Sequence, residues 1–164
     1  MKRIGILSDT HSYIDSTILG YFEACDEIWH AGDIGNSAIA ATLAEFKPFR
    51  AVYGNIDDQL LRSSYPLVNR FFCEQADVMI KHIVGYPGKY EKQVREILKV
   101  NPPKLLIAGH SHILKVQYDT NYNLLYVNPG AAGKSGFHHV RTLVRLTIDK
   151  ADIKDLEVVE FAHR

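Results

Sequence analysis

Apolar residues run along this chain in short blocks, each stopped by small and polar residues. The first, Ile4-Gly5-Ile6-Leu7, breaks at Ser8-Asp9 and predicts a buried strand. From about residue 14 to residue 24 the spacing changes. Ile18, Leu19 and Phe22 recur at helical intervals, and Ser16 offers an N-cap to a slightly shorter helix. Glu27 to Ala31 predicts a second strand ending at Gly32-Asp33, Ser37 to Phe46 an alanine-rich helix, and Phe49 to Tyr53 a third strand ending at Gly54-Asn55. Strands alternating with helices are the pattern of a parallel α/β layer.

The middle changes character. Leu67 to Cys73 and Ala76 to Val84 are strand-like runs broken at Glu74-Gln75, which predicts a hairpin. Lys89 to Val100 reads as an amphipathic helix closed by Asn101-Pro102-Pro103. Lys104 to Ala108 is a further buried strand ending at Gly109-His110. Leu114 to Asp119 and Leu124 to Val127 follow, joined through Asn121-Tyr122-Asn123, and then the alternating runs Thr142 to Ile148 and Ile153 to Phe161. No repeat, linker or low-complexity tract interrupts them. The expectation is one α/β domain over residues 1–164, with an α/β front half and a β-rich back half.

Composition narrows the class. The 164 residues are 46% apolar and 23% charged, ordinary for a globular chain. Lys plus Arg and Asp plus Glu are 19 each, so the formal net charge is zero. That balance disfavours an extended nucleic-acid or membrane surface, since both draw on excess Lys and Arg. It hides a split: four basic against nine acidic side chains leave residues 1–60 at −5 and the rest at +5. Cys25 and Cys73 match no CxxC or zinc spacing and read as reduced, buried thiols. No apolar run reaches the roughly 18–20 residues of a membrane helix, and Asp9 follows the first strand too soon for a signal peptide. The expected location is the cytoplasm.

The polar residues left unexplained stand at predicted strand ends. Asp9-Thr10-His11 follows the first strand, Gly32-Asp33 the second and Gly54-Asn55 the third. His82 lies at the end of the fifth, and Gly109-His110-Ser111-His112 follows the strand after the helix. Open α/β sheets place ligand sites beyond the carboxyl ends of their strands. Five strand ends would then bring two Asp, one Asn and four His to one region. Singly, each has an ordinary reading: Asp9 can cap a turn, Gly-Asp and Gly-Asn are turn dipeptides, and His82 alone reads first as a packed histidine. Their shared position carries the argument. Two divalent cations about 3.5–4 Å apart need a carboxylate between them, and Asp33 is the natural bridge. Two cations, Asp9, Asp33 and a hydroxide leave a net +1, attractive to phosphate. Nitrogen and oxygen ligands without thiolate suit Mn, Fe, Co, Ni or Zn.

These motifs, in this order, resemble those of the calcineurin-like metallophosphoesterase superfamily. The small size and Asn128-Pro129-Gly130 are most similar to its short single-domain phosphodiesterase branch. The resemblance covers roughly residues 3–145. It implies a four-layer αββα sandwich, two mixed β-sheets packed face to face with helices outside. It implies one metal on Asp9, His11 and His112, another on Asn55, His82 and His110, and Asp33 shared by both. Manganese is the first expectation, with nickel, iron, cobalt or zinc as alternatives. The implied reaction is attack on phosphorus by a metal-bridging hydroxide, with Asn55 and His110 also contacting substrate.

The sequence departs from the family pattern in three places. Many members carry a His after the Gly-Asn pair that assists the leaving group, whereas this chain has Ile56, which cannot donate a proton. The short branch often lacks that His as well. The Gly-Asp motif often continues to a second Asp; here the position is Asn36, expected behind the ligands as a hydrogen-bond partner. Only 26 residues separate Asn55 from His82, too few for a large substrate cap. Asp57 reads equally as a ligand-orienting group or a turn carboxylate. His30 reads as a packed histidine, and Lys134, His138, His139 and Arg141 as a solvated basic loop, with the Gly130 to Gly136 backbone able to face an anion. The seven early carboxylates other than Asp9 and Asp33 read as solvated surface or turn residues. A phosphodiesterase acting on a small phosphoester is the first reading. Alternatives are a non-catalytic scaffold of the same fold, as in the retromer complex, and a phosphatase or nuclease acting on small nucleotides. The family includes oligomers, so a homo-oligomer is compatible.

Overall fold

This computed structural model describes residues 1–162. In chain order the elements are β1 (Lys2–Leu7), α1 (Ser16–Phe22), β2 (Glu27–His30), α2 (Ser37–Phe46), β3 (Phe49–Ala51), α3 (Gln59–Ser64), β4 (Val68–Cys73), β5 (Ala76–Lys81), β6 (Gly85–Tyr86), β7 (Lys89–Tyr90), α4 (Lys92–Val100), β8 (Leu105–Ile107), β9 (Leu114–Asp119), β10 (Leu124–Pro129), β11 (Val140–Asp149) and β12 (Asp152–Ala162). One five-stranded sheet has the order β12-β11-β1-β2-β3, the other β4-β5-β8-β10-β9, and β6-β7 form a small ribbon. Both large sheets are mixed. β1, β2 and β3 run parallel, as do β5, β8 and β10, while β11, β12, β4 and β9 are antiparallel to their neighbours.

Side-chain alternation along the strands sorts the core into three layers. Ile4 and Ile6 of β1, Trp29 of β2, Val78 and Ile80 of β5, Ile107 of β8 and Val144 of β11 pack together between the sheets. The opposite faces of the first sheet, through Leu7, Ile28 and Leu143, meet Ile18 and Phe22 of α1, Leu43 of α2 and Leu61 of α3. The outer face of the second sheet, through Met79, Leu106 and Tyr126, meets Val94 and Leu98 of α4. The result is the four-layer αββα sandwich that the family resemblance implied. No helix among the described residues is long and apolar enough to cross a membrane. Cys25 and Cys73 are buried free thiols, and burial pushes the Cys73 thiol up to about 11.

Several expectations need correction. The first helix is capped by Asp15 rather than Ser16, its carboxylate accepting from the Ile18 N–H at 3.0 Å. The helix expected from Lys89 starts at Lys92, because Lys89–Tyr90 pairs with Gly85–Tyr86 and Glu91 becomes the cap. Helix α3 has no counterpart in the patterning, since its six residues bury one side chain, Leu61. The back half is β-rich as expected, with α4 its one helix among the described residues, and its β11-β12 hairpin returns to the edge of β1. The early carboxylates are mostly engaged rather than solvated. Asp15 and Asp58 cap helices, Asp26 accepts from the Arg3 N–H, and buried Glu27 accepts from Lys2 at 2.7 Å and Trp29 at 3.0 Å.

Gly5 lets α1 lie directly on β1: a Cβ there would collide with the buried Phe22 ring. Gly5→Val is therefore expected to destabilise the fold by about 1–3 kcal/mol through overpacking, read as a lower urea midpoint with unchanged m-value.

Candidate metal centre

The parallel strands of both sheets end at one place, and backbone hydrogen bonds fasten those ends together. The Asp9 N–H donates to Gly32 O and the His11 N–H to Asp33 O, both at 3.0 Å, which joins the loops after β1 and β2. The Gly109 N–H donates to His82 O at 3.0 Å, joining those after β5 and β8. The two sheets are tied where the His110 N–H donates to Asp9 Oδ2 at 3.1 Å. Five of the seven strand-end residues, Asp9, His11, Asp33, His110 and His112, have positive φ between 46° and 71°. For a residue with a Cβ this costs about 1–2 kcal/mol each, and such residues gather at functional sites.

The structure brings all seven sequence-predicted residues together. Asp9, His11 and His112 form one group whose candidate ligand atoms all lie within 4.8 Å of one another, and Asp33, His82 and His110 form a second. Asp9 Oδ1 is 3.2 Å from His112 Nε2 and 3.7 Å from His11 Nε2. Asp33 Oδ2 is 3.2 Å from His82 Nε2 and 3.5 Å from His11 Nε2, so it faces both groups. Asn55 Oδ1 completes the second group, 3.1 Å from His82 Nε2 and 3.0 Å from His110 Nδ1.

These contacts suit cations better than hydrogen bonds. Asp9 Oδ1 and His11 Nε2 are buried without a hydrogen-bond partner, a costly state for polar atoms. His82 Nδ1 lies 2.7 Å from Ala31 O. A carbonyl only accepts, so Nδ1 carries the proton and neutral His82 turns its Nε2 lone pair toward the oxygens of Asp33 and Asn55. Lone pairs facing lone pairs repel unless a positive ion sits among them. Gly54 leaves the space this needs, since a Cβ there would strike the Asp33 carboxylate. The residues thus fit two divalent cations.

Without cations, protons do part of that work. Burial would raise the Asp9 pKa, but the adjacent His11 and His112 rings outweigh it and hold the carboxyl far below its usual range. Burial likewise opposes ionisation of Asp33, and His82 overcomes it. In return Asp9 raises the His11 pKa, while His82 is raised by Asp33 and Asp9 against its own burial.

Residues behind the centre hold it in shape. Asp57, buried, accepts from the backbone N–H groups of Ile34, Gly35 and Gly54 at 3.2, 2.8 and 2.8 Å, binding the Asp33 loop to the Asn55 loop. Its contacts are with the backbone of the two loops that carry Asp33 and Asn55, the Gly54 one being that of a turn carboxylate. His30 is fully buried and desolvation drives its pKa down to about 3. Its Nδ1 accepts from the Gly32 N–H and its Nε2–H donates to Thr10 Oγ1, which donates to Ile34 O. Asn128 donates to Gly109 O and Ser111 Oγ at 3.0 and 3.1 Å, steadying the Gly-His-x-His loop. Ser8, whose hydroxyl donates to Asp9 Oδ2 at 2.5 Å, and Arg62, which donates to the Asn55 carbonyl, carry no sequence signal of their own.

Other candidates lie elsewhere. Asn36 caps α2, its side chain accepting from the Ile39 N–H, rather than backing a ligand. Arg141 is not solvated: it is 2% exposed, donates to Ala132 O at 2.7 Å and stacks between Tyr13 and Phe161. Lys134 stands over the Tyr13 ring, His138 packs edge-on against His112, and His139 is exposed. The Gly130 and Gly133 N–H groups are engaged with Asn128 Oδ1 and Asp9 O rather than turned to an anion.

Known proteins share the family pattern and the fold. Residues 1–151 match the model of the calcineurin-like phosphoesterase superfamily domain. A probable metallophosphoesterase of Methanocaldococcus jannaschii is 29% identical over 136 residues, covering 78% of this chain and 67% of that protein. A predicted phosphoesterase from Streptococcus pneumoniae superposes with a TM-score of 0.68 at 20% identity, covering 99% of this chain and 90% of that one. Vps29 of Entamoeba histolytica, in complex with zinc, superposes with a TM-score of 0.75 at 13% identity, covering 99% of both chains. At these identities the two superpositions speak for the fold.

Two outcomes are expected. The raised His11 and His82 pKa values stabilise the metal-free protein fully below about pH 6.5, and this is lost as pH rises through the folded values. The lowered Asp9 and Asp33 values keep their contribution above about pH 4. A cation must displace the imidazole protons, so the rise in melting temperature on adding Mn²⁺ or Zn²⁺ should grow from pH 5.5 to pH 8, as read by scanning fluorimetry. Asp57→Ala should weaken divalent-cation affinity about 10–100-fold, measured by calorimetric titration.

Proposed function

The chain belongs to the calcineurin-like phosphoesterase superfamily, and from that membership we propose that it hydrolyses phosphodiesters with two divalent cations, manganese foremost. Asp9, His11 and His112 would hold one and Asn55, His82 and His110 the other, with Asp33 shared. The observation that supports this most is the pair of buried carboxylates facing ring nitrogens of three histidines, with Asp9 Oδ1 and His11 Nε2 buried and without a hydrogen-bond partner. When bound, such cations supply Lewis acidity toward phosphoryl oxygens and a water activated near neutral pH.

The chain's own residues favour a diester. His110 and Asn55 are both exposed and would contact a phosphoryl oxygen. Clefts open from the centre on more than one side: Asn55 and His82 border one of about 240 Å³, and His110 borders two of about 490 and 540 Å³. A diester uses that space, since both its substituents need room. Ile56 stands exposed where many members carry a proton-donating histidine. Lacking a general acid costs about 10²–10⁴-fold on poor leaving groups, so the ester oxygen must leave as a stable anion. A binding module with no catalysis would have little use for two buried carboxylates among imidazoles, which ranks the scaffold reading second.

Purified protein with Mn²⁺ is expected to cleave bis(p-nitrophenyl) phosphate at least about tenfold faster than an alkyl monoester such as glycerol phosphate. Asp33→Asn and His110→Ala should each remove most of that rate. Absence of turnover with Mn²⁺, Ni²⁺, Fe²⁺, Co²⁺ and Zn²⁺ alike would overturn the reading.

A further inference from the structure

The clefts around the centre differ in chemistry. One carries Arg62 and Lys81 beside Asn55 and His82, and another is bordered by His11, His110, His112 and His138. The third, about 490 Å³, starts at Gly109-His110-Ser111 and is walled by Ile83, Val84, Tyr86, Ile113 and Tyr126. We propose that this apolar cleft binds the organic substituent of the substrate, and that the substituent is a planar aromatic or heteroaromatic ring. The proposal rests on the phosphodiesterase reading and narrows it to a substrate class.

Four observations carry it. The cleft is within the size range of small-molecule sites, and His110 belongs to both the cleft and the candidate metal centre. A substituent on a phosphoryl group held at the centre can therefore reach it. Ile83, Tyr86 and Ile113 are 39, 46 and 67% exposed, an apolar surface that an inserted ring would cover. The floor is preformed: Val84 and Tyr126 are buried, the Tyr126 hydroxyl donates to Gly85 O at 2.6 Å, and the Glu91 N–H donates to Val84 O at 2.9 Å. Little ordering is then left to oppose binding. Finally, Tyr86 offers an aromatic wall with the Lys115 ammonium 5.3 Å from its ring centre, and both groups attract a further ring. A sugar or glycerol substituent would find few polar partners there besides Ser111 and Lys115.

The test is a binding measurement on the full chain in Zn²⁺, with isoleucine methyl groups labelled for NMR. The probes are phenylphosphonate and methylphosphonate, whose P–C bonds resist hydrolysis. Phenylphosphonate is expected to bind about tenfold tighter or better and to shift the methyl signals of Ile83 and Ile113. In Ile113→Ser the preference should fall toward one; Ile113 is exposed, and the wild-type methyl shifts stand independently of that variant. The 5′-methylenephosphonate analogue of adenosine 5′-phosphate, which carries the same phosphonate head, separates the two sources of a ring: tighter binding than phenylphosphonate assigns a nucleoside, weaker binding a simple aryl ester. Equal affinity for the two phosphonates, or no shift at Ile83 and Ile113, would overturn the proposal alone. Binding of no phosphonate at all would overturn it together with the reading of the centre.

Discussion

Two carboxylates, Asp9 and Asp33, are buried side by side at the ends of neighbouring strands, 0 and 3% exposed. Like charges that close repel strongly in a buried setting, and burial alone would protonate them. What surrounds them answers that constraint. Imidazoles of His11, His82 and His112 crowd the two oxygens without making good hydrogen bonds, and the backbone of five site residues is bent into the left-handed region to bring them there. Neither feature stabilises a metal-free protein efficiently. Both make sense where positive ions complete the site.

The fold supplies the rigidity this needs. Each sheet contributes parallel strands whose carboxyl ends converge, and the three apolar layers keep the sheets in fixed relation. Short polar contacts then set individual loops. Asp57 takes three N–H donors from two loops, neutral His30 threads a hydrogen bond through Thr10 to Ile34, and Asn128 holds the Gly109 loop. Each is a buried polar group with its partners satisfied, the condition under which such groups order a site rather than weaken it.

The candidate site was legible to an unusual degree because its residues sit directly after apolar runs, so the runs themselves point to them. Asp9, Asp33 and Asn55 follow β1, β2 and β3, and His82 and His110 follow β5 and β8. Asp57 stayed ambiguous because an acceptor of three backbone N–H groups looks, in one dimension, like any turn carboxylate. Arg141 is illegible in the sequence for the opposite reason. A basic residue beside glycine and histidine suggests a solvated loop, and nothing local announces that Tyr13, Asp15 and Phe161 enclose its guanidinium. Asn36 occupies a position where the family motif often has an Asp, while the start of α2 has the nearer claim on its side chain.

By itself the sequence determined most strands of the two large sheets and which chemistry-bearing side chains follow them, because side-chain periodicity and turn chemistry are local properties; the short β6-β7 ribbon and helix α3 carry too little pattern to be read this way. Only the tertiary structure decided how the strands share two sheets, with the C-terminal hairpin β11-β12 returning to β1 and β8 lying between β5 and β10. It also decided which of the other early carboxylates cap helices and which pair with Lys2 or Trp29. Sheet order and side-chain partners depend on burying apolar faces against segments distant in the chain, and that energy is not written in any one stretch of it.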